Sequence, residues 1–156
     1  MRTRIKVCGL TRESDVDAAV AAGVDAVGFV FYAASPRAVS QEQARALVRR
    51  LPAWVSAVGL FVNSPRETIL QVADQVGLSH VQLHGDETPG DCQGLGRPVI
   101  KALRVKTGLA PALAAAEADR LAGLIQDFSG CQAVLFDADS AGFGGSGQAF
   151  DWSILS

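Results

Sequence analysis

"VSAVGLFVNSPRETILQVADQVG", residues 55–77, sets an apolar run directly against a stretch with helical periodicity. Residues 55–62 carry almost no polar alternation, the pattern of a strand covered on both faces. From residue 64 the signals are those of a helix start. Ser64 is placed to cap, Pro65 falls in the first turn, Glu67 completes a capping box, and Gly77 closes the helix. One strand followed at once by one helix is the repeating half of a parallel crossover.

The same couplet recurs on both sides. Upstream, "RIKVCG" (4–9) precedes "ESDVDAAVAAG" (13–23), where Ser14 or Asp15 can cap and Gly23 can terminate. "DAVGFVFY" (25–32) precedes "SQEQARALVRRL" (40–51), with Ser40 as N-cap and Pro52 beyond the end. Downstream, "HVQLHG" (80–85) leads into a weak, Gly-interrupted segment over 86–96. "PVIKALRV" (98–105) leads into an Ala-rich helix over about 109–127, and "AVLFDAD" (133–139) into a Gly-rich loop and "FDWSIL" (150–155). Six alternations without a long polar linker predict one domain over 1–156, built as an α/β protein with a parallel sheet. An open doubly wound sheet and part of a (β/α)8 barrel both satisfy this pattern.

Composition removes several function classes. The chain is 49% hydrophobic and 19% charged, with a formal charge of −2 and a mean hydropathy of +0.22. That balance gives no electrostatic reason to expect nucleic acid or an anionic membrane as partner. The apolar run 26–34 is far too short to span a bilayer, and Arg12, Glu13 and Asp15 interrupt any signal-peptide core. Cys8, Cys92 and Cys131 are odd in number, widely spaced and without a CxxC pair, so a reduced, cytoplasmic protein is expected.

In either architecture, polar residues at the carboxyl ends of strands face the site. Those ends carry Cys8-Gly9, Ser35-Pro36-Arg37 just beyond strand two, Asn63, Gln82-Leu83-His84, Lys101 and Arg104, and Asp137. A thiol, a guanidinium, an imidazole and a carboxylate together supply a base, an acid and an anion clamp without a metal. Cys8 has a plainer reading as small core filler, and Arg37 as a solvated loop charge. Asp137 ends an apolar run, where a buried carboxylate without a partner is costly. His80 and His84 have the i,i+4 spacing of a helical metal pair, but "HVQLH" is composed as a strand, and no metal site is expected. "GFGGSG" (142–147) formally matches a dinucleotide fingerprint. It follows the sixth strand rather than the first, with too little chain after it, and reads better as a hinged loop closing over a substrate.

Taken in order, "KVCGLT" (6–11), "VGFVFYAASPR" (27–37), "GLFVN" (59–63), "VQLHGDE" (81–87) and "FDADSAGFGGSGQAFDW" (136–152) resemble the phosphoribosylanthranilate isomerases of tryptophan biosynthesis. The resemblance implies a (β/α)8 TIM barrel that uses no cofactor. It implies an Amadori rearrangement of N-(5-phosphoribosyl)anthranilate to 1-(2-carboxyphenylamino)-1-deoxyribulose 5-phosphate. By position, Asp137 matches the family's general acid, Cys8 its base, and Arg37 the residue holding the anthranilate carboxylate. Gln82 and His84 fall on the pocket wall, and Gly144, Gly145, Ser146 and Gly147 on a loop over the substrate. The expected partner is a small phosphosugar, with the chain acting as a monomer or homodimer.

About six of eight βα units are readable, so a C-terminally incomplete barrel is expected, with the phosphate-binding residues beyond Ser156. Two other outcomes are an inactive barrel fragment, or a thiol sensor centred on Cys8, and another phosphosugar barrel. The last would call for a lysine–glutamate set or metal-binding histidines and aspartates at strand ends, and neither is readable.

Overall fold

The computed structural model describes residues 2–139 and 149–155; the Gly144, Gly145, Ser146 and Gly147 loop lies outside them. Six strands form one sheet: β1 (Lys6–Cys8), β2 (Ala26–Val30), β3 (Ser56–Phe61), β4 (His80–Leu83), β5 (Val99–Val105) and β6 (Ala133–Ala138). Every pairing is parallel, and the spatial order is β1-β2-β3-β4-β5-β6. A doubly wound sheet reverses its order partway. This one does not, so right-handed crossovers bring every helix to the same side. The sheet is therefore six consecutive units of a (β/α)8 barrel wall.

The helices are α1 (Glu13–Ala21), α2 (Gln41–Val48), α3 (Arg66–Val76) and α4 (Pro111–Asp127). Ser40 caps α2 as expected, its hydroxyl accepting from the Gln43 amide at 3.1 Å. The expected capping box on α3 does not form. Pro65 is the N-cap residue, which leaves Glu67 one position short of the box, and the Ser64 hydroxyl turns back to donate to the Val62 carbonyl. Arg12 rather than Ser14 or Asp15 begins α1, and its guanidinium grips Asp15 at 2.8 Å. Gly77 ends α3 in the left-handed conformation, φ +82°, which only glycine adopts without strain.

Between β4 and β5 the chain crosses over without a helix. Asp91 accepts from the Thr88 amide and hydroxyl, the Arg66 guanidinium donates to the carbonyls of Gln93 and Gly94, and Cys92 and Leu95 supply the apolar cover.

Strand alternation sorts the side chains. Val27, Phe29, Phe61, Val81, Leu83 and Leu103 pack beneath the helices against Val16, Ala44, Leu47, Ile69, Val72 and Val76. On the opposite, concave face, Val30, Leu60 and Val62 make a smaller cluster with Cys8 and Tyr32 packed on it. The candidate site residues at the carboxyl ends stand on that smaller layer.

Candidate functional site

Cys8 is the last residue of β1, and its thiol lies in the space left by Gly28, its register partner on β2. Gly9 follows at φ +84°, and the Arg37 side chain lies over it so closely that a Cβ there would sit 2.6 Å from Cδ. Arg37 donates from Nη1 to the Cys8 carbonyl at 3.0 Å, which fixes the loop after β2 to the end of β1.

These groups share a cavity of about 220 Å³ lined by Lys6, Cys8, Ser35, Arg37, Gln82, His84 and Asp137, over a floor of Val30, Leu60 and Leu135. Four larger cavities lie elsewhere among the described residues, and none of those four brings together a thiol, a guanidinium, an imidazole and a carboxylate.

Inside the cavity three side chains form a hydrogen-bonded row. Gln82 Nε2 lies 2.9 Å from His84 Nδ1, and His84 Nε2 lies 3.0 Å from Asp137 Oδ2. Gln82 and His84 are buried, whereas the Asp137 side chain is about one-third exposed, at 31%. Burial pushes the His84 pKa below the ordinary imidazole value, and the hydrogen bond to Asp137 opposes that shift without overcoming it. His84 is accordingly neutral near pH 7.

The rim beside this row is tied down by a buried ion pair. Glu87 accepts from the Asn63 and Gly85 amides and from Lys101 Nζ at 2.9 Å, and Lys101 also donates to the Gly85 carbonyl. Asn63 takes a left-handed conformation, φ +48°, and its side-chain oxygen accepts from the Asp86 amide. The turns after β3 and β4 are thereby clasped together.

Of the expected site residues, Cys8, Arg37, Gln82, His84 and Asp137 meet in one cavity. Lys101 does not. It leaves the sheet on the helix side, under Phe128, because the register Gln82↔Ile100 sends odd-numbered β5 residues away from the concave face. Arg104 does reach the rim, where it pairs with Asp86 at 3.0 Å. His80 lies at the opposite end of the strand, in a cavity with Arg4, Ile5 and Trp54, so it shares no site with His84. Lys6 and the Glu87 clasp went unread. A period-2 count from Cys8 back to Lys6 was available for the first; the second depends on loop geometry.

Comparison with known proteins places the chain in a family. The family model for N-(5'-phosphoribosyl)anthranilate (PRA) isomerase matches residues 5–156. The chain is 52% identical to the N-(5'-phosphoribosyl)anthranilate isomerase of Methylibium petroleiphilum, covering 99% of this chain and 68% of that one. It is 48% identical to a Pseudomonas putida enzyme of the same name, covering 97% of this chain and 69% of the relative. The crystal structure of phosphoribosyl anthranilate isomerase from Thermotoga maritima superposes with a TM-score of 0.82 at 38% identity, covering 99% of this chain and 70% of that one. A second structure, described as a complex with reduced 1-(o-carboxyphenylamino)-1-deoxyribulose 5-phosphate, gives 0.75 at 37% identity, covering 89% and 66%. The chain thus spans about two thirds of the length of its relatives. With six consecutive barrel units and this extent of identity, the chain belongs to the N-(5'-phosphoribosyl)anthranilate isomerase family.

Proposed function

We propose that Cys8, Arg37 and Asp137 are the working groups of a phosphoribosylanthranilate isomerase site, acting on a phosphosugar without a cofactor. The observation that carries this reading is their convergence on one cavity at the carboxyl edge of a sheet of this family. Arg37 presents a planar guanidinium suited to a benzoate-type carboxylate. Asp137, in its acid form, protonates the furanose ring oxygen. The bond from that oxygen to the anomeric carbon breaks as the nitrogen lone pair forms a C=N bond. Cys8, as thiolate, then takes the proton from the adjacent carbon, and those electrons form the enolamine that tautomerises to the ketose. In the closing tautomerisation the enol oxygen gives up its proton to solvent and the former anomeric carbon takes one up, so the rearrangement balances without a redox partner.

The test is the decay of anthranilate fluorescence when phosphoribosylanthranilate meets the chain, run beside Cys8→Ala and Asp137→Asn. Turnover that survives in Cys8→Ala rejects the base assignment. The same assay against gel filtration shows whether the active species is a monomer or a homodimer; one structure to which the chain is similar is described as a dimeric enzyme.

A further inference from the structure

Three observations at the Gln82–His84–Asp137 row fit together in one way. The Gln82 amide nitrogen only donates, so the His84 Nδ1 that it meets at 2.9 Å is the unprotonated nitrogen. A neutral imidazole then carries its single proton on Nε2 and donates it to Asp137 Oδ2 at 3.0 Å. The third observation is the cost: Gln82 Oε1 is buried and has no hydrogen-bond partner among the described residues. A buried amide oxygen left without a donor gives up the hydrogen bond it would make to water. Turning the amide over would give that oxygen a donor, Nδ1–H, but only by moving the imidazole proton off Nε2.

Resting on the isomerase reading above, we infer that Gln82 fixes the tautomer of His84 so that His84 occupies Asp137 Oδ2 and leaves Oδ1 to carry the catalytic proton. In the opposite tautomer the Nε2 lone pair would face Oδ2. That arrangement is stable only when Oδ2 itself is protonated, which would place the acidic proton against the imidazole rather than on the free oxygen. With Nε2–H in place, Oδ2 is an acceptor in both the acid and the carboxylate form of Asp137. The same hydrogen bond strengthens as Asp137 gives up its proton and becomes charged, so it favours the transfer. His84 and Gln82 are positioning residues: neither needs to touch the sugar. The charges acting on His84 are Asp137 from β6 and Glu87 from the turn after β4, which favour the protonated ring, and Lys101 from β5, which acts with burial against it; burial is the largest effect and keeps the ring neutral.

The chain has two histidines, His80 and His84, so nitrogen NMR of the chain labelled with 15N-histidine reads the tautomer directly. His84 is expected as the Nε2–H form from about pH 6.5 to 8, and Gln82→Glu, whose carboxylate only accepts, is expected to put a proton on Nδ1 as well. In the fluorescence assay, His84→Phe and Gln82→Glu should each lower kcat about 10- to 100-fold, with KM changed less than about twofold. His84→Gln keeps an N–H near the Nε2 position and should hold kcat within about fivefold of the parent. An Nδ1–H tautomer in the parent chain overturns the proposal. So does a His84→Phe variant of undiminished kcat, or a His84→Gln variant that falls as far as His84→Phe. If the parent chain shows no isomerase activity, the function assignment fails, and the NMR result alone decides the tautomer.

Discussion

The Cys8 thiol occupies the place that a side chain on Gly28 would need. A Cβ at Gly28 would stand 2.6 Å from Cys8 Sγ and 3.2 Å from its Cα, with Lys6 Nζ at 3.1 Å. Because one of those contacts is backbone, a rotamer change alone does not relieve the crowding. Gly28→Ala should therefore displace the thiol, lowering kcat by at least about tenfold and stability by about 1–3 kcal/mol. Steady-state kinetics together with urea unfolding checks both effects; a fully active, equally stable variant would show that the thiol does not depend on this space.

Removing the proposed acid and base should separate from removing the anion clamp. Cys8→Ala and Asp137→Asn are expected to lose about 10²–10⁴-fold in kcat, the usual contribution of a positioned proton carrier. Arg37→Ala should act chiefly on KM, although its bond to the Cys8 carbonyl makes a small kcat effect expected as well. Equal kcat losses in all three variants would contradict the division of roles.

Stability should fall on mild acidification because of His84. Its folded pKa lies below the ordinary 6.5, so below about pH 6.5 the unfolded chain binds a proton that the folded chain refuses. The contribution is lost from about pH 6.5 downward and levels off once the folded imidazole also titrates. Urea midpoints measured between about pH 7 and 5 should decline in the parent and decline less in His84→Gln. At lower pH a second loss follows as Asp25 and Glu117, held below their ordinary carboxylate values by Arg2 and Arg120, become protonated.

The clasp beneath the rim is predicted to be costly to break from one side. Lys101→Met leaves Glu87 buried without its cation, which should destabilise the fold by about 3–5 kcal/mol. Both side chains are almost fully enclosed, at 4% and 5% exposure, so solvent cannot substitute for the missing charge. A thermal midpoint unchanged from the parent would mean that the backbone amides on Glu87 suffice.

The three thiols should differ towards iodoacetamide. Burial pushes the Cys92 thiol up to about 12, with Cys131 beside it adding to the shift. Cys92 should stay unlabelled in the folded chain at about pH 8 and react only after unfolding. Cys8, half-buried in the cavity, should be the residue protected by a reduced product analogue, as read by peptide mass spectrometry. Labelling of Cys92 in the folded chain would contradict its burial.

Much of this arrangement is written in the sequence because parallel strands covered on both faces are short apolar runs, easily told from the helices between them. Chain order alone then delivers Cys8, Gln82, His84 and Asp137 to the same edge. Facing is harder: Lys101 and Arg104 look equivalent until the β4–β5 register is known, and register is a relation between two strands. The helix starts at Arg12 and Pro65 are hidden in the sequence because a serine nearby offers a better local cap than the one the turn geometry allows. The clasp of Asn63, Glu87 and Lys101 joins three separate turns and strands, so no local pattern announces it. The weak segment over 86–96 held a real signal, since its glycines and Asp91 build a helix-free crossover.

The strictly consecutive strand order has a consequence for how the chain is assembled. Among the described residues each strand pairs with the one made just before it, so none of these pairings waits for a distant segment to be synthesised. At about 5–20 residues per second, the ribosome supplies a new unit of roughly 25 residues every few seconds. Every unit thus emerges beside a surface already able to receive it, and the wall can grow outward from β1 in the order of translation.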